Sequence, residues 1–322
     1  MQPKTKINLS PLKALLLPVI VYAIFKVIRP TTFGTPEALY IIAQQSVMVT
    51  IMAFGMCCNM TIGVWDFTPG SIVTLVGLIC GYYYNAYGFP AMVAAGIFSG
   101  ILLGLVNGSL YTILKVPSVV VTVGLLLVYE SIGAVYKGGL GTSIDGQGAV
   151  LGRAPWIFVI VLIMMAIIYV IYNKTKYGFN VRAVGSNELI AKGAGIDPRK
   201  VKFLSFLIAG SFFGVAGLVN LSYTTALSPT INMSTMSVTF DAMMAGFIAL
   251  YLSGICNRIF GIVIGTFTMK MVSAGLVAIG VPGTWQKVII GVFLLFFIGF
   301  TQIRSQVGAW VGRMRRGSKA AA

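Results

Sequence analysis

The chain has 322 residues, 57% of them hydrophobic and only 9% charged, with a mean hydropathy of +0.93. That balance excludes a soluble globular domain and describes an all-α polytopic membrane protein. The net charge of +16 and pI near 9.8 fit basic loops and tails retained on one side of a membrane, and no basic-aromatic surface accompanies them, so nucleic acid is not an expected partner.

There is no histidine, and the four cysteines (Cys57, Cys58, Cys80, Cys256) lie in or beside apolar runs. They read as small hydrophobes, so neither a metal nor a catalytic thiol is expected. Lys4, Lys6 and Lys13 precede the first apolar run in the manner of a signal peptide, but no small-residue cleavage site follows. An uncleaved first helix is therefore expected.

A membrane-spanning helix takes roughly 20 mostly apolar residues. Such runs fall at 14–30, 38–59, 67–86, 91–115, 118–136, 155–173, 203–223, 237–252, 259–279 and 285–303. They predict about ten crossings in a single transmembrane domain, 1–322, with both termini and the loop 173–202 cytoplasmic. On that topology 17 of the 23 Lys and Arg lie inside and five (Lys26, Arg29, Lys137, Arg153, Lys287) lie outside, as the positive-inside bias demands. The run 237–252 is short and reads equally as a re-entrant or broken helix.

In the fourth run, Gly96, Gly100, Gly104 and Gly108 recur every four residues and predict a flat face for close helix packing. The two halves echo one another. Gly96–Gly100 resembles Gly261–Gly265, and Val116-Pro117 and Val281-Pro282 each follow the first glycine by 20 residues. The matched runs cross in opposite directions, as in the inverted repeats of alternating-access transporters.

Between the sixth and seventh runs lies the one long polar segment, 173–202, with seven Lys and Arg against Glu188 and Asp197. Asn187 or Ser186 caps a short helix, Glu188 suits its positive end, and Gly193 or Gly195 ends it. Asp197-Pro198 then reads as an N-cap with proline at the first helical position. Such a helix is a docking device or a plain loop.

Ionisable groups inside apolar runs cost about 2.5 kcal/mol or more and default to functional candidates. Here they are Asp66, Glu130, Asp241 and Lys270. Asp66 and Asp241 read equally well as caps of broken helices, whereas Glu130, beside Ser131 and Gly133, faces protein or a water-filled path. Asn59, Thr68, Ser71, Asn107 and Ser109 could offer hydrogen bonds to a hydroxyl-rich solute or hold helices together. Asn59, Asp66, Thr68, Ser71, Asn107, Glu130 and Asp241 are the candidates for a translocation pathway. No Gly-x-x-x-x-Gly-Lys-Ser/Thr pattern and no catalytic constellation occurs, so no enzymatic activity and no bound cofactor are expected of this chain.

The stretch Tyr177–Glu188, with Ala191 and Gly193–Asp197, resembles the cytoplasmic coupling loop of ribose-type ABC importer permeases. Val64–Ser71 resembles that family's Gly-Ile-Asp-Leu-Ser-Val-Gly-Ser signature. Val116–Ser118 with Val121–Gly124, Phe240–Ala242, and Gly280–Pro282 with Trp285-Gln286 also match. The likeness covers roughly 40–305. It departs at Pro69 and at Ser253–Arg258, where the family has a glycine-rich basic turn. The resemblance implies a permease subunit of the cytoplasmic (inner) membrane that moves a sugar or related polar solute by alternating access. It further implies ATP bound and hydrolysed on a separate ATPase subunit, an extracytoplasmic solute-binding protein, and a second permease copy or paralogue. Ser186, Asn187, Glu188, Ala191, Gly193, Gly195 and Asp197 would form the coupling element. The rival expectation is an ion-coupled secondary transporter using Asp66, Glu130 or Asp241.

Overall fold

The computed structural model describes residues 14–254 and 256–283, together with 285, 286, 288, 289, 291 and 292. The predicted run 285–303 falls mostly outside them, as do Lys4, Lys6, Lys13, Lys287 and the basic residues from Arg304 onward. Each of the other nine apolar runs is occupied by a helix: α1 (Leu16–Ile28), α2 (Pro36–Ile62), α3 (Pro69–Tyr87), α4 (Phe89–Leu114), α5 (Ser118–Val135), α6 (Trp156–Lys174), then, after two helices in the polar segment, α9 (Pro198–Thr224), α10 (Met236–Leu252) and α11 (Arg258–Ile279). The polar segment itself folds as α7 (Lys176–Ser186) and α8 (Glu188–Gly193).

Among the described residues six helices, α2, α4, α5, α6, α9 and α11, are long and apolar enough to cross a membrane. This is an all-α multi-pass membrane protein. The number ten predicted from apolar runs is larger because it also counted α1 and α10, which are shorter, α3, which glycines, four tyrosines and Asn85 dilute, and the run 285–303, which lies mostly outside the described residues.

α2 is the axis of the bundle. It opens with Thr35, whose side chain accepts from the Ala38 amide at 3.2 Å, and Pro36, and it closes at Gly63, which is left-handed (φ 78°). From Ser46 to Asn59 it is buried on nearly every face, the signature of a helix enclosed by others. It packs against α6, α7, α9, α10 and α11.

The glycine face of α4 meets α9. A Cβ at Gly100 would lie 2.5 Å from the Gly214 Cα and 2.6 Å from the Gly210 carbonyl oxygen; at Gly104 it would lie 2.7 Å from the Phe206 carbonyl oxygen. Backbones come this close only where neither helix carries bulk, and dispersion over the touching surfaces then replaces the hydrophobic effect that lipid does not supply. The partner glycines on α9 were not singled out in the sequence. The echoed block on α11 does the same: a Cβ at Gly265 would lie 2.7 Å from the Ala245 carbonyl oxygen of α10.

A short antiparallel pair, Thr142–Ser143 with Ala226–Leu227, joins the α5–α6 connection to the turn after α9. In that connection Asp145 accepts from the Tyr84 hydroxyl at the end of α3 and from the amides of Gln147 and Gly148. The Tyr84 hydroxyl, then the Gly148 and Gln147 amides, hold its carboxyl below the usual carboxylate range.

Gly100→Ala is expected to lower the thermal midpoint in detergent, at an overpacking cost of about 1–3 kcal/mol. Gly124→Ala, on a glycine with no atom within 4 Å of its would-be Cβ, should leave it unchanged. Equal midpoints for the two variants, read by size-exclusion melting, would mean that α4 and α9 are not in backbone contact.

Candidate functional site

Two helices of this bundle begin inside the protein, and each start is held by a carboxylate. The linker 63–68 carries Asp66 into the interior between α2 and α3. Asp66 Oδ1 accepts from the Thr68 amide (3.0 Å) and the Thr68 hydroxyl (2.7 Å), and Oδ2 accepts from Asn59 Nδ2 (3.2 Å). Asn107 on α4 donates to Thr68 Oγ1 (2.7 Å), and the Tyr129 hydroxyl on α5 donates to Asn107 Oδ1 (2.6 Å). Ser71 donates to the Thr68 carbonyl at 2.9 Å. All six residues are buried. The chain Asn59–Asp66–Thr68–Asn107–Tyr129 thus ties α2, α4 and α5 to the first turn of α3, whose orphan amides and positive dipole end favour an anion.

Glu130 performs the matching role from α5. Its Oε1 accepts from the Thr235 amide (3.0 Å) and hydroxyl (2.6 Å), and Oε2 from the Met233 amide (2.8 Å), at the entry to α10. The backbone there is left-handed at Asn232 and Met233 (φ 62° and 59°), a conformation that needs such surroundings to hold it. Of the two sequence readings for Glu130, the side chain faces protein. The two helix starts touch: the Gly70 amide of α3 donates to Thr239 Oγ1 of α10 at 2.9 Å.

Asp241 is not a cap, in contrast to one of its two sequence readings. It sits inside α10 and accepts from Lys270 Nζ of α11 at 2.8 Å, a partly buried ion pair. Lys270 in turn lines a cavity of about 260 Å³ between α2, α6, α9 and α11, with Gln44, Gln45, Asn220, Tyr223 and Thr224. These amides and hydroxyls were not singled out in the sequence. The adjacent glutamines inside an apolar run carried a usable signal, since the desolvation argument applied to the acids applies to amides too.

The polar segment is more built than a single short helix. Thr175 caps α7 by accepting from the Gly178 amide (3.2 Å), and Gly178, Val181 and Val184 form its buried face. That face repeats at three-residue spacing but carries little bulk. Ser186 ends α7, its hydroxyl donating to the Arg182 carbonyl, and Asn187 alone caps α8, accepting from the Ile190 amide at 3.0 Å. At the other end the Ile196 amide donates to the Ala191 carbonyl and the Gly195 amide to the Lys192 carbonyl, with Gly195 left-handed (φ 83°), a Schellman ending. Asp197 caps α9 through the Arg199 amide at 3.0 Å.

On α8, Ala191 turns inward and is buried, Gly193 faces open space, and Glu188 pairs with Lys202 at 2.8 Å within the same chain. Leu189 and Ile190 are 82% and 71% exposed. Beneath the segment, Arg258 at the start of α11 donates to the Thr61 hydroxyl of α2 and to the Tyr172 hydroxyl of α6 (2.8 Å). The guanidinium groups of Arg258 and Arg182 lie 5.6 and 5.5 Å from the Tyr172 ring centre, within cation–π range. Asn257 caps α11 and donates to Asn173 Oδ1 at 3.3 Å.

Residues 38–298 match the family described as branched-chain amino acid transport system / permease component. Among curated relatives, the fructose import permease protein of Rhizobium meliloti is 25% identical over 93% of this chain and 86% of its own. The ribose import permease protein of Escherichia coli K12 is 25% identical over 91% of this chain and 94% of its own. The autoinducer 2 import system permease protein of Shigella flexneri is 26% identical over 82% and 79%. No solved structure matches the chain. The resemblance to ribose-type importer permeases read from the residues is borne out.

Glu130→Gln should expose the role of its carboxylate. Three donors converge on two oxygens, and an amide NH₂ cannot accept, so one donor is left buried and unpaired at a cost of about 1–3 kcal/mol. Faster hydrogen exchange over residues 231–239 is expected. Unchanged exchange there would mean that α10 starts without Glu130.

Proposed function

Because the chain belongs to this family of transport-system permease components, we propose that it is the membrane-spanning subunit of an ATP-binding-cassette importer for a sugar or related polar solute. The curated relatives named for fructose, ribose and autoinducer 2 import support that substrate class. So does the cavity beside Lys270, whose amide and hydroxyl side chains match the donor-acceptor character of a hydroxyl-rich ligand. The solute path runs past this cavity, bordered by the Asp241–Lys270 pair. Asn59, Asp66, Thr68, Ser71, Asn107 and Glu130 brace its frame. The ion-coupled alternative finds no support: the relatives are import permeases, and Asp66, Glu130 and Asp241 each already hold a protein partner.

ATP is bound and hydrolysed on a separate subunit, since the sequence carries no phosphate-binding loop of its own. The observation that carries the coupling assignment is the exposed pair Leu189–Ile190 on a helix of six residues. A helix so short is not self-sustaining in water, yet Asn187, Gly195 and Asp197 frame it on both sides while two large apolar side chains face outward. That is a face for an ATPase groove, with open Gly193 leaving room for close approach and Ser186 joining it to α7. Motion of α8 would pass inward through buried Ala191 and, by way of Asp197, to α9. The assembly comprises two permease chains, two ATPase subunits and an extracytoplasmic binding protein, in the inner membrane, with both termini and 174–202 cytoplasmic.

Leu189→Glu should leave the permease inserted and folded, weaken ATPase co-purification, and abolish ATP-dependent uptake while the binding protein still captures solute. Full ATPase association and uptake by this variant would reduce the segment to a topological anchor. The sidedness has its own check. A single cysteine at Ser143 should react with an impermeant maleimide in intact cells and one at Ser186 should not; labelling at Ser186 would reverse the topology.

A further inference from the structure

A second cavity, of about 230 Å³, lies where the end of α4 meets the start of α9, directly behind α8. Its lining includes Lys115, Arg199, Lys202 and Glu188, with Tyr111 and Thr112 on the α4 side. Three cations thus face one carboxylate. That carboxylate is fully engaged: Lys202 Nζ donates to both oxygens of Glu188, at 2.9 and 2.8 Å. Asp197, two residues before Arg199, accepts from the Arg199 amide. The Lys115 ammonium and the Arg199 guanidinium make no hydrogen bond or ion pair among the described residues. Two unpaired cations on opposite helices around one cavity form a built electrostatic receptor.

We propose that this cavity binds the phosphate headgroup of an anionic phospholipid. The surroundings select a lipid over a free anion. Ile113 and Leu114, in the last turn of α4, are large apolar residues turned outward, and Val116 continues that face into the cavity wall. A ligand seated here therefore meets cations at one end and a hydrocarbon-facing helix surface at the other. Basic pockets between membrane helices at the bilayer boundary take phospholipid headgroups in this way. The guanidinium offers paired N–H donors to phosphate oxygens, and the ammonium a point charge on a flexible stem. Glu188 is both a lining residue and the first residue of α8, so headgroup occupancy bears on the position of that helix. Lipid charge would then tune the coupling proposed above; the binding itself does not depend on that reading.

The test is native mass spectrometry of the full-length permease, extracted mildly and titrated with phosphatidylglycerol, phosphatidylcholine or inorganic phosphate. The wild-type chain should retain phosphatidylglycerol in preference to phosphatidylcholine. Lys115→Asn with Arg199→Gln should lower phosphatidylglycerol affinity about thirtyfold without changing the phosphatidylcholine background. Asparagine suits position 115 because the backbone there is left-handed (φ 56°). If the double variant folds poorly, Arg199→Gln alone is read in the same way, since its guanidinium has no partner to lose. Equal phosphatidylglycerol retention by wild type and variant would overturn the proposal. So would displacement of the lipid by inorganic phosphate at equal concentration, which would make the cavity a free-anion site.

Discussion

A helix that starts inside a membrane protein has four amide hydrogens and no water to receive them. In this chain that constraint is met twice by a buried acid, Asp66 at the start of α3 and Glu130 at the start of α10. The rest of the interior is arranged about these two points. Asn59, Thr68, Asn107 and Tyr129 extend the first into a chain linking three helices. The second reaches from α5 across to the entry of α10. Because the Gly70 amide donates to Thr239, the two starts also share a bond, and the two positive dipole ends are neutralised side by side rather than repelling one another. An acid removed from either point leaves buried donors unpaired, the dearest kind of loss in a low-dielectric interior.

What the sequence made legible was local. Apolar runs located the helices because the bilayer imposes a length on them. Capping chemistry located the ends of α8 and the start of α9, because Asn187, Gly195 and Asp197-Pro198 act on amides and carbonyls within a few residues of themselves. What stayed hidden was pairing. Gly96, Gly100, Gly104 and Gly108 announced a contact face, yet nothing local pointed to Gly210 and Gly214 as the other side. Asp241 and Lys270 were each visible as costly charges, but their mutual bond joins two helices and follows only from the bundle. Helix α7 was missed for another reason: its buried face rests on Gly178, Val181 and Val184, too small and too few to stand out beside so many lysines.

The end of the bundle that carries α7 and α8 reads as one mechanical unit. Arg258 bonds the end of α2 and the end of α6 from the start of α11, and Arg182 of α7 shares the Tyr172 ring with it. Beside this tie α7 packs against α2, α6 and α9, and α8 against α7 and α9. A push on the exposed Leu189–Ile190 surface therefore meets a joined set of helix ends rather than a free loop.

The cap on α10 has a consequence for the order of synthesis. Asp66 takes bonds from Thr68 and Asn59, two and seven residues away, so its site is nearly complete as the second and third helices leave the ribosome. Glu130 has no such neighbours: its donors lie 103 and 105 residues later in the chain. The fifth helix therefore enters the bilayer carrying a carboxyl whose partners have not yet been made. Until residues 233–235 arrive, that group must remain wetted or be sheltered by the insertion machinery. A chain cut short before residue 233 is left with the acid and without its remedy, which gives quality control a feature by which an unfinished copy differs from a finished one.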